Sequence, residues 1–175
     1  MENDTVITSG EYIIISGTNR RDSHTEKVAF IYQDILKSRN IQPCFFSMEN
    51  FNPLTRDDNF KRVEAECLIP AKKFIFIIPE YNGSYPGVLK TMIDNSDIRK
   101  VWFYKKALLT GVASGRAGNL RGMDHLADTL NYLRMTVHYN KLPISRIDKI
   151  MDENGHLNQE TMDAIESQID AFIKF

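Results

Sequence analysis

The sequence is poor in cysteine and tryptophan, and it carries almost no net charge. Its 175 residues include two cysteines and one tryptophan, and the formal net charge is −1. Two cysteines cannot build a disulfide framework, so we expect Cys44 and Cys67 to be buried, unreactive thiols. Without an excess of positive charge, the chain has no general attraction to nucleic acid or to an anionic membrane.

Several functional motifs are also missing. No apolar run approaches the roughly 20 residues of a transmembrane helix, and Met1–Gly10 reads as a polar lead-in without the pattern of a signal peptide. The expected location is therefore the cytoplasm. A Walker A loop, a Gly-x-Gly-x-x-Gly turn and a Gly-x-Ser-x-Gly elbow are all absent, which argues against three common enzyme classes. The four histidines lack metal-ligand spacing, so we predict no metal site and no catalytic acid–base pair.

What the chain does contain is an alternation of short apolar runs with segments of helical period. Its hydrophobic fraction is 42% and its charged fraction 26%, which suits one domain over residues 1–175. The apolar runs predict five strands, at Tyr12–Ile15, Ile41–Ser47, Phe74–Ile78, Lys106–Gly111 and Met135–Tyr139.

The segments between these runs carry apolar residues at i, i+3 and i+4 and predict helices. They lie at Thr25–Asn40, Phe60–Leu68, Tyr85–Ser96, Met123–Leu133 and Asn158–Lys174. Strands that alternate with helices predict an α/β fold, a three-layer sandwich with helices on both faces of a five-stranded parallel sheet. The expected strand order is the flavodoxin-like order 2-1-3-4-5.

Polar, glycine-bearing loops follow the first, third and fourth predicted strands. In the order 2-1-3-4-5 the topological switch point lies between the first and third strands, where ligands of such sheets bind. The three loops, at Ser16–Thr25, Pro79–Gly87 and Gly111–Asn119, should therefore converge at one end of the sheet.

The first loop has the residues of an anion site. It enters a helix, whose N-terminus presents unpaired N–H groups and the positive end of a dipole. Thr18, Ser23 and Thr25 can donate hydroxyl hydrogen bonds, and Arg20 can add a charge-assisted one. The alternative is a capped helix with exposed arginines.

The second loop could hold a planar ring. Its N–H groups around Glu80–Gly83 could pair with the heteroatoms of a flavin edge, and Tyr81 or Tyr85 could cover an apolar face. Gly83 permits close approach of the backbone. The third loop, at Ser114–Asn119, could close over the other end of the ring. The alternative is a solvated turn with spare aromatic side chains.

These motifs resemble those of the NAD(P)H-dependent FMN reductases, a family that includes quinone, chromate and azo-dye reductases. The long signature Pro79–Lys90 looks like their most specific motif, Gly17–Thr25 resembles their phosphate loop, and Gly111–Gly118 is weakly similar to their third loop. The resemblance implies bound FMN, with its phosphate and its ring held by Thr18, Arg20, Ser23, Thr25, Pro79, Glu80, Tyr81, Asn82, Gly83, Ser114 and Gly115.

The resemblance also implies a reaction. NADPH or NADH would pass a hydride to the flavin N5, and a small acceptor such as a quinone or free flavin would then be reduced at the same face. Family members are commonly homodimers or homotetramers. The alternatives are a flavodoxin-like electron carrier without NAD(P)H activity and a homologue that has lost FMN. Near-neutral charge and Arg20 favour the reductase.

The sequence departs from the family pattern at a few positions. Asn19 stands where an apolar residue is usual. Asn95 and Ser96 follow Ile93-Asp94, where the family often has Trp or Phe. Trp102 comes later in the chain. These departures concern the wall of the substrate site and the subunit interface.

Overall fold

A parallel β-sheet forms the centre of the molecule. The computed structural model describes residues 10–175, so the predicted lead-in lies outside the described residues except for Gly10. The sheet order is β2-β1-β3-β4-β5, with a further strand, β6, also paired to β4. The strands are β1 (Tyr12–Ser16), β2 (Cys44–Ser47), β3 (Lys73–Pro79), β4 (Lys106–Val112), β5 (Thr136–Val137) and β6 (Leu142–Ile144). The flavodoxin-like order predicted from the sequence is confirmed.

Helices cover both faces of this sheet. They are α1 (His24–Ser38), α2 (Asp58–Val63), α3 (Gly87–Asn95), α4 (Leu120–Tyr132), α5 (Ile147–Ile150) and α6 (Gln159–Lys174). Two π-helical turns, Glu64–Leu68 and Ile98–Trp102, follow α2 and α3. Among the residues from 10 to 175, no helix is long and apolar enough to cross a membrane.

The central strands are apolar on both faces because each face packs under helices. In β3, Phe74 and Phe76 belong to the core beneath α2, α3 and α4, whereas Ile75 and Ile77 belong to the core beneath α1 and α6. All four side chains are fully buried. Continuous apolar runs are the sequence pattern of such doubly covered strands.

The boundaries of α1 follow the predicted signals. Ser23 caps its N-terminus, where the side-chain oxygen accepts a hydrogen bond of 3.1 Å from the N–H of Glu26. Asn40 follows the helix with a φ of +61°, a left-handed conformation that asparagine tolerates. Ser23, and not Thr25, is therefore the cap.

The edge beyond β4 differs from the prediction of one fifth strand over Met135–Tyr139. Only β5 pairs with the start of β4, and the chain leaves the sheet before β6 pairs with its end. The side chain of Gln168 on α6 fills the break, since its amide donates to the carbonyls of Leu109 and Asn140 at 3.2 and 2.8 Å. A distant helix thus replaces the missing ladder hydrogen bonds.

The two cysteines are less buried than expected. Both are half-buried and pack on the same apolar cluster. A hydrogen bond from Cys44 lowers the pKa of the Cys67 thiol to about 7, while that same hydrogen bond and burial raise the pKa of Cys44. Neither thiol is fully buried, so the expectation of burial is wrong, and the low reactivity of both thiols stays a prediction.

The residues that depart from the family pattern have structural roles. Trp102 is fully buried, with its ring centroid 5.3 Å from that of Phe74. Its indole N–H donates to the Ser96 hydroxyl at 2.7 Å, and the Asn95 amide donates to the Pro53 carbonyl at 2.7 Å. Asn95 and Ser96 therefore fix the chain after α3 and satisfy a buried indole.

A buried polar network joins α1, β4 and α6. Tyr32 is fully buried, and its hydroxyl lies 2.7 Å from the Thr110 hydroxyl and donates to the Gln168 side-chain oxygen at 2.5 Å. Burial raises the pKa of Tyr32 far above its ordinary value. The hydroxyl is thus neutral and acts as a structural link.

Replacing Tyr32 with Phe should destabilise the protein by about 1–3 kcal/mol, because Gln168 and Thr110 lose a buried partner. Urea unfolding measures the change, with an unaltered slope expected. Tyr139→Phe is the matched control, since this tyrosine between β5 and β6 is 83% exposed. Equal stabilities of the two variants would contradict the structural role of the network.

Candidate functional site

An open cavity of about 560 Å³ lies at the carboxyl ends of β1, β3 and β4. All three predicted loops contribute to its wall. Ten of the eleven predicted site residues line it: Arg20, Ser23, Thr25, Pro79, Glu80, Tyr81, Asn82, Gly83, Ser114 and Gly115. The eleventh, Thr18, does not. The convergence inferred from the strand order is therefore present in the structure.

The wall formed by the first loop is rich in hydrogen-bond donors. Ser23 accepts a hydrogen bond through its side-chain oxygen, which leaves its hydroxyl proton available. Within residues 10–175, the N–H groups of His24 and Thr25 have no acceptor, as expected for the first turn of a helix. The Arg20 side chain is exposed at the rim. This end of the cavity suits an anion.

Thr18 is turned away from the cavity. It is 1% exposed, and its hydroxyl lies 2.5 Å from the Tyr81 hydroxyl. The N–H of Arg20 donates to the same Thr18 oxygen at 3.2 Å, and the Arg20 guanidinium carbon lies 4.1 Å from the centre of the Tyr81 ring. Thr18 therefore supports Tyr81, and a direct phosphate contact from Thr18 stays a prediction.

The second loop contains a tight two-residue turn. Asn82 and Gly83 have φ angles of +52° and +80°, and Tyr81 and Ser84 exchange backbone hydrogen bonds of 2.9 and 3.2 Å across them. Two successive positive φ angles define a type I′ turn, for which Asn-Gly is the preferred sequence. The Asn82-Gly83 pair could have predicted this turn, but only a ligand-binding loop was predicted here.

The turn determines which backbone donors are free. The N–H of Tyr81 is used within the turn. Among the described residues, the N–H groups of Glu80, Asn82 and Gly83 have no acceptor. Of the four backbone N–H groups predicted to bind the ring, three are therefore free, and the one of Tyr81 is not. The Tyr81 side chain instead contacts Thr18 of the first loop.

Backbone hydrogen bonds to the end of β6 and the residues that follow it hold the third loop in place. The N–H of Ala113 donates to Ile144, and the N–H groups of Arg146 and Ile147 donate to Gly115 and Ala113, at 3.0 to 3.1 Å. These bonds bring Ile147 into the cavity wall, while Ser114 and Gly115 stay exposed. Sequence patterns did not predict that Ile147 lines the cavity, because its position depends on these hydrogen bonds between distant residues.

His24 is a second wall residue that the sequence did not single out. It follows the helix cap, and its Nδ1 lies 3.2 Å from an Asp148 carboxylate oxygen on α5. The pair links the first loop to the chain that supports the third loop. No sequence motif marks a histidine at this position as functional. Only its contact with Asp148 in the folded protein identifies His24 as part of the cavity wall.

The donor set fits a ligand that combines a phosphate with a flat ring. Hydroxyl, guanidinium and helix N–H donors lie at the first loop, and backbone donors lie at the second. Phosphates bind at helix N-termini of this kind, and a ring edge with alternating heteroatoms suits a short row of backbone N–H groups. FMN has both parts, so these residues fit the cofactor that the sequence motifs imply.

Comparisons with known proteins agree with this interpretation. A 2-hydroxy-1,4-benzoquinone reductase from a Burkholderia species is 25% identical over 161 residues, covering 84% of this chain and 85% of the relative. A quinone reductase from Pseudomonas putida is 23% identical over 169 residues, covering 91% and 90%. Both are similar to this chain over nearly their full length.

Solved structures share the fold. The crystal structure of an NADH:FMN oxidoreductase in its apo form aligns with a TM-score of 0.77 at 19% identity, covering 93% of this chain and 87% of that one. The family model described as NADPH-dependent FMN reductase matches residues 11–147, which include all three loops of the cavity. The chain therefore belongs to the NADPH-dependent FMN reductase family of flavoprotein oxidoreductases.

Proposed function

We propose that this protein passes a hydride from NADPH or NADH to bound FMN and then reduces a small acceptor such as a quinone or free flavin. One observation carries the proposal: three loops far apart in the chain meet in a single open cavity, with anion donors at one end and backbone donors at the other. Neither end alone would indicate a flavin nucleotide.

At the anion end, Arg20, Ser23 and Thr25 would hold the FMN phosphate together with the free N–H groups of α1. Thr18 would act indirectly, because its hydroxyl holds Tyr81. The charge-assisted bond from Arg20 would contribute most, since bonds from charged donors are stronger than neutral ones.

At the ring end, the residues from Pro79 to Gly83 would line the isoalloxazine. The free N–H groups of Glu80, Asn82 and Gly83 would pair with its polar edge, and Ser114 and Gly115 would flank it. When bound, FMN would supply the redox chemistry, which is hydride transfer at its N5 atom. The protein binds and orients the reactants, so no catalytic acid–base pair is required.

The cavity is open, so a nicotinamide and an acceptor can use one flavin face in turn, which gives ping-pong kinetics. The quinone reductases among the relatives favour a quinone as the acceptor. A cytoplasmic homodimer or homotetramer is part of the proposal. It is supported by exposed apolar side chains, among them Ile98 and Tyr132, beside a groove between α3 and α4.

The test is a visible spectrum of the purified protein with FMN, recorded without oxygen before and after addition of NADPH or NADH. Loss of the flavin bands, followed by their return on addition of a quinone, is expected. Bound FMN that stays oxidised with both nucleotides would favour the electron carrier. Absence of FMN binding would reject both functions.

Replacing Arg20 with Ala should weaken FMN binding by about 1.5–3 kcal/mol, because a charge-assisted hydrogen bond is lost. Quenching of flavin fluorescence measures the dissociation constant. Riboflavin lacks the phosphate, so its affinity should fall much less. Arg62→Ala is the control, since Arg62 is exposed on α2 and bonds only Asn59 and Glu66 among the described side chains. If the affinities for FMN and riboflavin fall equally, Arg20 does not bind the phosphate.

Replacing Gly83 with Ala should weaken binding of FMN and riboflavin alike. An alanine there would have a φ of +80°, a left-handed conformation that L residues rarely adopt, so the turn should shift, at a cost of roughly 1–3 kcal/mol. The Cβ would also lie 2.9 Å from the Arg121 Nη1 atom, but this flexible side chain can move away. Fluorescence titration with each flavin measures the change.

Gly155→Ala is the matched control for Gly83→Ala. Its φ is +85°, and its Cβ would lie 3.7 Å from the nearest atom, on Lys27. We expect a similar loss of stability from backbone strain and unchanged flavin affinity. If both variants bind flavins like the wild-type protein, the Asn82–Gly83 turn does not line the ring.

A further inference from the structure

Asn119 joins the start of α4 to the end of β3. The residue is fully buried, and its side-chain amide donates to the carbonyl oxygens of Ile78 and Pro79 at 3.0 and 2.9 Å. Pro79 is the last residue of β3 and the first residue of the second loop, Pro79–Gly87, which we call the ring-binding loop. The two hydrogen bonds therefore hold the point where that loop leaves the sheet.

Asn119 gives up its ordinary local role to make these bonds. It occupies the N-cap position of α4, where an asparagine side chain usually accepts a hydrogen bond from the first turn. Here it has φ +65° and ψ +30° and makes no capping bond. A residue that abandons a favourable local interaction for a tertiary one often marks a functional constraint.

The packing around the side chain supports the same conclusion. A Cβ on Gly122 would lie 2.0 Å from the Asn119 Oδ1 atom and 2.9 Å from the carbonyl carbon of Ser84. Only glycine at position 122 leaves room for the amide and for the end of the Tyr81–Ser84 turn. The first turn of α4 is thus shaped to the ring-binding loop.

The Oδ1 atom adds a further sign of constraint. Within residues 10–175 it is buried and has no hydrogen-bond partner. A buried, unpaired oxygen destabilises a protein, so an apolar residue would be preferred if packing were the only requirement. What the amide contributes in return is its pair of bonds to β3.

We propose that Asn119 is a positioning residue for the flavin ring. It does not line the cavity, and it acts by holding Pro79, so that the N–H groups of Glu80, Asn82 and Gly83 keep the spacing that the ring edge requires. This inference rests on the proposed FMN site. It concerns the ring end of that site and not the phosphate end.

The test compares Asn119→Gly with Asn40→Gly. Glycine keeps the left-handed backbone and removes only the side chain. Asn40 has nearly the same φ, +61°, but is exposed at the end of α1. Dissociation constants for FMN and riboflavin are measured by fluorescence quenching, and urea unfolding verifies that each variant is folded.

We expect Asn119→Gly to raise both dissociation constants by a similar factor, about 5- to 10-fold, because both flavins carry the ring. Asn40→Gly should leave both unchanged. If Asn119→Gly does not fold, Gly122→Ala displaces the Asn119 amide without removing it, and an equal loss of affinity for both flavins is expected. Because its Cβ would also approach Ser84, the decisive result in this variant is unchanged affinity for both flavins, which would contradict the inference.

Two results would overturn the inference alone. One is a folded variant that binds both flavins like the wild-type protein, and the other is a loss confined to FMN, which would place the effect at the phosphate end. If the wild-type protein binds neither flavin, the proposed function itself fails, and the inference fails with it.

Discussion

The parallel pairing of β1 with β3 is the constraint on which the site depends. The last residue of β1, Ser16, pairs with Ile77, two residues before the end of β3, and the N–H of Gly17 extends the pairing by donating to the Ile77 carbonyl at 2.9 Å. Beyond this point the chain after β1 crosses towards β2, and the chain after β3 crosses towards β4. Two loops must diverge from neighbouring strands, and the cleft between them is a consequence of the strand order.

The same constraint explains why the position of the site could be predicted. The buried strands are continuous apolar runs, so Phe74–Ile78 could be identified without structural information. Alternation with helices then limited the strand order to a few possibilities. Once the order 2-1-3-4-5 was assumed, the loops after the first, third and fourth strands had to share one edge. Arg20, Ser23 and Glu80–Gly83 have side chains or backbone groups suited to a ligand. Their position at one edge of the sheet was enough to predict that they form one site.

What could not be predicted depends on contacts between distant parts of the chain. The break between β5 and β6 relies on Gln168, whose amide reaches Leu109 from another layer. The inward direction of Thr18 relies on Tyr81, which follows it by 63 residues. Local patterns give the type of a residue and its place on a loop. They do not give the direction of its side chain when both burial and exposure are compatible with the local backbone.

These long-range contacts also separate the fixed parts of the site from the adjustable parts. Below the cavity, Thr18, Asn119 and the chain after β6 hold the ends of the three loops through buried or partly buried hydrogen bonds. At the rim, Arg20, Ser114 and Gly115 are exposed. A ring-binding site needs its backbone donors fixed before the ligand arrives, because ordering them on binding would reduce affinity. An open rim, in contrast, would let the two reactants of the proposed reaction reach one bound ring in turn.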